Sequence, residues 1–127
     1  MAFITTDDIT DSIVVDFDID DYITLADNPI ISLARKFGVM SEDDIEDDPF
    51  DEILKEYEVA WLLERFCRDT SGQNDTDLSS NEKYMYKHDI YSKRRYQLYK
   101  ELTVEMFLGT VDRAINTAPS SPMIYRG

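Results

Sequence analysis

The sequence is short of most residues that build catalytic or metal centres. It holds one cysteine, one histidine, one tryptophan and four glycines in 127 residues. A single cysteine excludes an internal disulfide and a zinc site made of several thiolates from one chain. Four scattered glycines leave no glycine-rich loop to cradle a phosphate. No run of 18 apolar residues is present, so no transmembrane helix is expected. The opening Met-Ala-Phe-Ile-Thr-Thr-Asp-Asp has no basic region and no apolar stretch of signal-peptide length. A protein made and kept in a reducing compartment is the expectation.

Basic residues are scarce in one half only. The first 58 residues carry 18 Asp and Glu against 3 Lys and Arg, and the remaining 69 carry 9 acids against 10 bases. The formal charge of −14 therefore belongs to the N-terminal half. Such a chain repels nucleic acid on one side and offers a large field to a partner on the other. Contact and repulsion suit it better than catalysis, and no enzyme activity is expected. Eight tyrosines within a 43% hydrophobic composition fit either interfaces or a small core, because the ring packs while the hydroxyl stays wet.

Helical spacing dominates the rest, and the length suits one domain. Thr6 with Asp7 and Asp8 predicts a capped short helix ending near Ile13. A second helix is expected from Asp20, with Tyr22, Ile23 and Ala26 inward and a break at Asp27–Asn28 forced by Pro29. A third then runs to Gly38, which suits a left-handed C-cap. Ser41 caps an acidic turn. Asp48 and Pro49 are the expected N-cap and first residue of the clearest helix, which runs to about Arg68. Its stripe is nearly all-round towards Trp61 and Phe66, so Trp61, Leu63 and Phe66 are expected at the centre. Only Glu58, Glu64 and Arg65 interrupt it. Cys67 reads as an inert core thiol. Residues 69–81 read as a polar loop. A final long helix over 82–102 places Tyr84, His88, Tyr91, Leu98 and Leu102 on one face. Thr103 recaps a short turn closed by Gly109.

Several clusters invite chemistry. Asp16, Asp18 and Asp20 fall at calcium-loop spacing, but Asp21 stands where glycine is needed and Asp27 where a longer glutamate is usual. Helix-capping acids are the plainer reading. The eight acids of residues 42–52 are contiguous and mutually repelling, which suits a solvated face rather than magnesium. His88 has no catalytic partner in a recognisable motif and reads as a partly buried helical histidine. No cofactor is expected. Lys93, Arg94 and Arg95 with Tyr91, Tyr96 and Tyr99 form a mixture that touches nucleic acid elsewhere. A pI near 4.2 argues instead for the acidic half of a neighbouring copy. Pro119 and Pro122 oppose helix in the last stretch. Met123, Ile124, Tyr125 and Arg126 then read as the anchors of an extended docking arm, or as a tail packed on its own domain.

Several motifs together resemble the head–tail connector, or adaptor, proteins of the neck of tailed phages. They are Phe-Ile-Thr-x-x-Asp-Ile at the start, and Tyr-Ile-x-x-Ala with Leu-Ala-x-x-Phe-Gly-Val between Tyr22 and Val39. Leu-Lys-Glu-Tyr-x-Val-Ala-Trp from Leu54 and Asp-Ile-Tyr-x-Lys from Asp89 complete the set. The resemblance implies an all-α fold: a small helical bundle over residues 1–112 with a long C-terminal helix, and an extended C-terminal arm over 113–127. It implies a structural virion protein, assembled in the host cytoplasm, forming a homo-oligomeric ring of about twelve copies below the portal protein. An adjacent neck or tail protein would be a further partner, and DNA would pass through without specific binding, with no membrane contact. Asp43, Asp44, Asp47 and Asp48 are then expected to face the lumen or its rim. The rival reading is an acidic DNA mimic that inhibits a nucleic-acid enzyme.

Overall fold

The computed structural model describes residues 3–15, 17–73 and 78–110. Their regular structure is helical. Four α-helices follow one another: α1 (Asp20–Lys36), α2 (Glu52–Gln73), α3 (Leu78–Tyr99) and the short α4 (Val104–Leu108). Single 3-10 turns at Thr6–Asp8, Ser12–Val14 and Glu42–Asp44 punctuate the connections. The first helix expected after Thr6 is thus two separate turns. Thr5, not Thr6, caps the first, closing a reciprocal box with Asp8.

Three other expectations are corrected. α1 runs straight through Pro29. Proline withholds the amide that would bond to the carbonyl of Leu25, and Leu25 lies on the exposed side of the helix, where a freed carbonyl costs least. Ala26, Ile30, Leu33 and Ala34 bury the opposite side on both flanks of the proline and keep the helix whole. α2 starts later than expected. Asp47 and Phe50 form an isolated bridge around a cis Asp48–Pro49 bond, and Phe50 turns inward to stack on Phe3 at 4.8 Å. Asp51, not Asp48, is the cap, its Oδ1 accepting from the amides of Ile53 (2.8 Å) and Leu54 (3.3 Å). Lastly, the expected loop over 69–81 is largely helix. α2 continues to Gln73 and α3 begins at Leu78. Asp69 holds that extra turn by accepting from the Tyr22 hydroxyl at 3.0 Å.

The two long helices are antiparallel. Partners on α3 fall in number as those on α2 rise: Glu56 meets Arg94, Glu64 meets His88, and Ser71 meets Met85. Gly38 and Gly109 take positive φ (94° and 71°) and end α1 and α4 as expected.

The core has two halves. One gathers Phe3, Ile30, Leu33, Leu54, Tyr57, Leu98 and Phe107 with their neighbours. The other gathers Ile4, Ile13, Ile23, Ala26, Leu62, Leu63, Phe66, Cys67 and Tyr84. Phe66 lies at the centre of the second half, with the rings of Phe17, Tyr22 and Tyr84 set edge-on within 5.0–6.2 Å. Trp61, expected at the centre, is only half-buried; the stripe of α2 is wider than its core contact, and Trp61 occupies the margin. Cys67 is fully buried, and burial pushes its thiol up to about 11.

Candidate functional site

The acidic turn is the first candidate. Ser41 accepts from the amide of Asp43 at 3.3 Å and starts the turn, as expected from its position. Ile45 is buried and anchors it to the core. The amide of Glu46 donates to the carbonyl of Phe107 at 2.8 Å, tying the turn to α4. Around these anchors Glu42, Asp43, Asp44, Glu46, Asp47 and Asp48 are all exposed. No lysine or arginine pairs with them among the described residues. The turn is therefore a negative edge tethered to the core at Ile45 and to α4 at Glu46. Met123, Ile124, Tyr125 and Arg126, the expected arm, lie outside the described residues.

The basic side of α3 is less free than its sequence suggests. Lys87 meets Asp11 at 3.1 Å, Arg94 meets Glu56 at 3.0 Å, and Arg95 meets Glu64 through two nitrogens at 2.6 and 3.2 Å. Three of its cations are thus satisfied within the chain. Asp11 also accepts a very short hydrogen bond from the Tyr91 hydroxyl. Burial alone would raise the Asp11 carboxyl, but the bonds from Tyr91, the Ile13 amide and Lys87 outweigh it and hold it below its usual range. Glu64 behaves alike: burial pushes it up, and Arg95 with Ser92 and His88 brings it down. His88 has its side chain mostly buried beside Glu64 and Asp89, matching the partly buried helical histidine expected.

Beside this network, Trp61, Glu64, Arg65, Arg68 and Arg95 border a polar cleft of about 220 Å³ on the outer face of the α2–α3 pair. A second cleft of similar volume, mostly apolar, lies between Asp8, Lys55, Val59, Ala60, Tyr91 and Arg94.

The feature that sequence reasoning missed is internal. Asp27 on α1 and Glu58 on α2 are both buried, at 7% and 0% exposure, where the two halves of the core meet. Asp27 Oδ1 accepts from the buried amide of Phe3 at 3.1 Å, so it fastens the N-terminal segment. Neither Glu58 oxygen has a well-formed hydrogen bond. Burial first, then the neighbouring Asp27 and the more distant Asp8, raise the Glu58 carboxyl to about 10, so it is neutral at pH 7. The signal was present: Glu58 lies four residues from both Leu54 and Leu62, inside the apolar stripe. Of the aspartates at calcium-loop spacing, Asp16 lies outside the described residues, Asp18 accepts from the Asp20 amide just before α1, Asp20 and Asp21 are exposed, and Asp27 points inward. Among the described residues no three His, Cys, Asp or Glu converge as metal ligands, and no helix is long and apolar enough to cross a membrane.

Compared with protein-family models, with curated proteins and with solved structures, the chain matches none.

Proposed function

We propose that the chain is a structural assembly subunit, a head–tail connector of the phage-neck type. Its body would be a helical bundle over residues 1–112, and residues 113–127 an extended docking arm ending in Met123, Ile124, Tyr125 and Arg126. The observation that carries this reading is the acidic turn, exposed along its length yet pinned by Ile45 and by the Glu46–Phe107 hydrogen bond. A tethered negative edge repels a DNA backbone at short range, within the roughly 8 Å over which charge acts at physiological salt. Repeated around a ring, Asp43, Asp44, Asp47 and Asp48 would keep a passing duplex centred without wells to trap it. The motif resemblance to connector proteins supports the same assignment.

Native mass spectrometry of the chain, alone and with a portal ring, tests it. The expected result is a closed homo-oligomer that attaches to the portal, and loss of attachment with intact helicity once residues 113–127 are deleted. Tight duplex binding in a low-salt gel shift would overturn it. Stoichiometric inhibition of a nucleic-acid enzyme, without ring formation, would favour the DNA mimic instead.

A further inference from the structure

Among the described residues, the cleft bounded by Trp61, Arg65, Arg68 and Arg95 has one carboxylate fewer than it has arginines. Arg95 is satisfied by Glu64. Among the described residues Arg65 and Arg68 share one carboxylate, Asp69, and reach it only at 3.7 and 3.9 Å, outside hydrogen-bonding distance. Arg65 Nε is buried and has no acceptor at all among the described residues. Nε itself is closed to an incoming group, but the Arg65 and Arg68 side chains are 42% and 58% exposed, and their terminal N–H groups can offer a carboxylate parallel hydrogen bonds. The Arg65 guanidinium also lies 5.9 Å from the centre of the Trp61 ring, which braces it at the cleft wall.

The same chain has the matching surplus. Asp43 and Asp44 are exposed, on the tethered turn, and unpaired with any described cation. They cannot fill their own cleft. The turn precedes the N-terminus of α2, and Arg65 lies about 20 Å further along that helix at 1.5 Å per residue. We infer that the arginine cleft of one copy receives a carboxylate of the acidic turn, Asp43 or Asp44, from a second copy. The contact is head-to-tail: each copy has one cleft and one turn, so every copy gives and receives. This deepens the assembly reading by naming the two surfaces that join: it takes one of Asp43 and Asp44 into the seam between copies and leaves the other acids of the turn to the lumen or its rim, and it rests on that reading only for its biological setting.

Trp61 is the sole tryptophan, so its emission reports on the cleft alone. The test titrates a Trp61→Phe chain, invisible at tryptophan wavelengths, into dilute wild-type protein. A saturating change in Trp61 emission is expected. Asp43→Lys/Asp44→Lys in the titrant should weaken it at least tenfold. That variant sharpens the test, because it lowers the overall repulsion between two copies of net charge −14. Unspecific electrostatics predicts tighter association; a carboxylate-reading cleft predicts weaker. Arg65→Glu/Arg68→Glu in the observed copy should abolish the change, with helicity checked by circular dichroism. No emission change, or a change indifferent to both reversals, overturns the inference. A response to inorganic phosphate but not to the chain would also overturn it, in favour of a small-anion site. The assembly reading is judged separately by mass: a ring insensitive to these reversals sinks the inference alone, and filled clefts without ring or portal attachment sink the assembly reading alone.

Discussion

Asp27 and Glu58 bring two carboxyl groups together inside the protein; Asp27 accepts from the amide of Phe3, and the protonated Glu58 lies against it. Buried acids without a base are tolerated when one stays protonated, and Glu58 does. The pair divides the core at the level where the N-terminal segment crosses α1, since Phe3 belongs to one half and Ile4 to the other.

A pH dependence follows from Glu58. Its folded value of about 10 lies above its ordinary 4.5. The stability linked to its proton is therefore full below about pH 4.5 and lost as the pH rises towards 10. The slope is at most about 1.4 kcal/mol per pH unit. Glu58→Gln keeps the shape and removes the charge. Urea unfolding at pH 5, 7 and 9 should show wild type weakening while the variant stays nearly level and exceeds it at pH 9. Parallel curves would mean that Glu58 ionises at no cost.

Asp11 has the opposite sign. Its carboxyl is held down by Tyr91, Ile13 and Lys87 against the effect of burial. Its contribution is present above about pH 4 and is lost as the pH falls through the lowered folded value. Asp11→Asn should cost about 1–3 kcal/mol at pH 7, and the gap from wild type should narrow in thermal melts as the pH falls below Asp11's ordinary range.

Packing predicts a ranking along α2. Leu63 and Phe66 are nearly inaccessible, at 1% and 2%. Leu63→Ala should cost about 2–5 kcal/mol and Phe66→Ala about 3–5 kcal/mol. Trp61→Ala should cost less than Phe66→Ala, because Trp61 lies at the margin of the core. Chemical denaturation of the three variants checks the order, and Trp61 ranking first would return it to the centre.

Gly109 is a structural glycine for two reasons. Its φ is +71°, and an added Cβ would come within 2.5 Å of Glu46 Cγ. Gly109→Ala should destabilise by about 1–2 kcal/mol from the left-handed backbone alone. It should also loosen the acidic turn, seen as faster hydrogen exchange at the Glu46 amide, which bonds to Phe107. Unchanged exchange would show that the turn is held by Ile45 without help from α4.

Local signals were the legible ones. Ser41, Gly38 and Gly109 act within a turn of their own position, and each does what its chemistry indicates. Pro29 misled because its effect depends on which way the freed carbonyl faces, a tertiary property. Asp48 misled because Phe50 is drawn inward by Phe3, far away in sequence. Trp61 was placed at the centre because an apolar stripe that nearly encircles a helix does not say which part is covered. Asp43, Asp44, Asp47 and Asp48 are on the surface, as unbroken runs of acids with no apolar residue among them require of Asp43–Asp44 and Asp47–Asp48. The arginine cleft was hidden because its residues come from two helices, and because the cations of α3 had to be sorted into those already paired and those not.

The lone thiol has a practical consequence. Cys67 lies in the half of the core centred on Phe66, with no exposed surface and a thiol held protonated to about pH 11. A labelling reagent attacks thiolate and must reach it. Modification therefore waits for that half to open, and its rate is a clock for the opening. Read beside exchange at the Glu46 amide, which times the other end of the molecule, it tells whether the two halves part company or come undone as one.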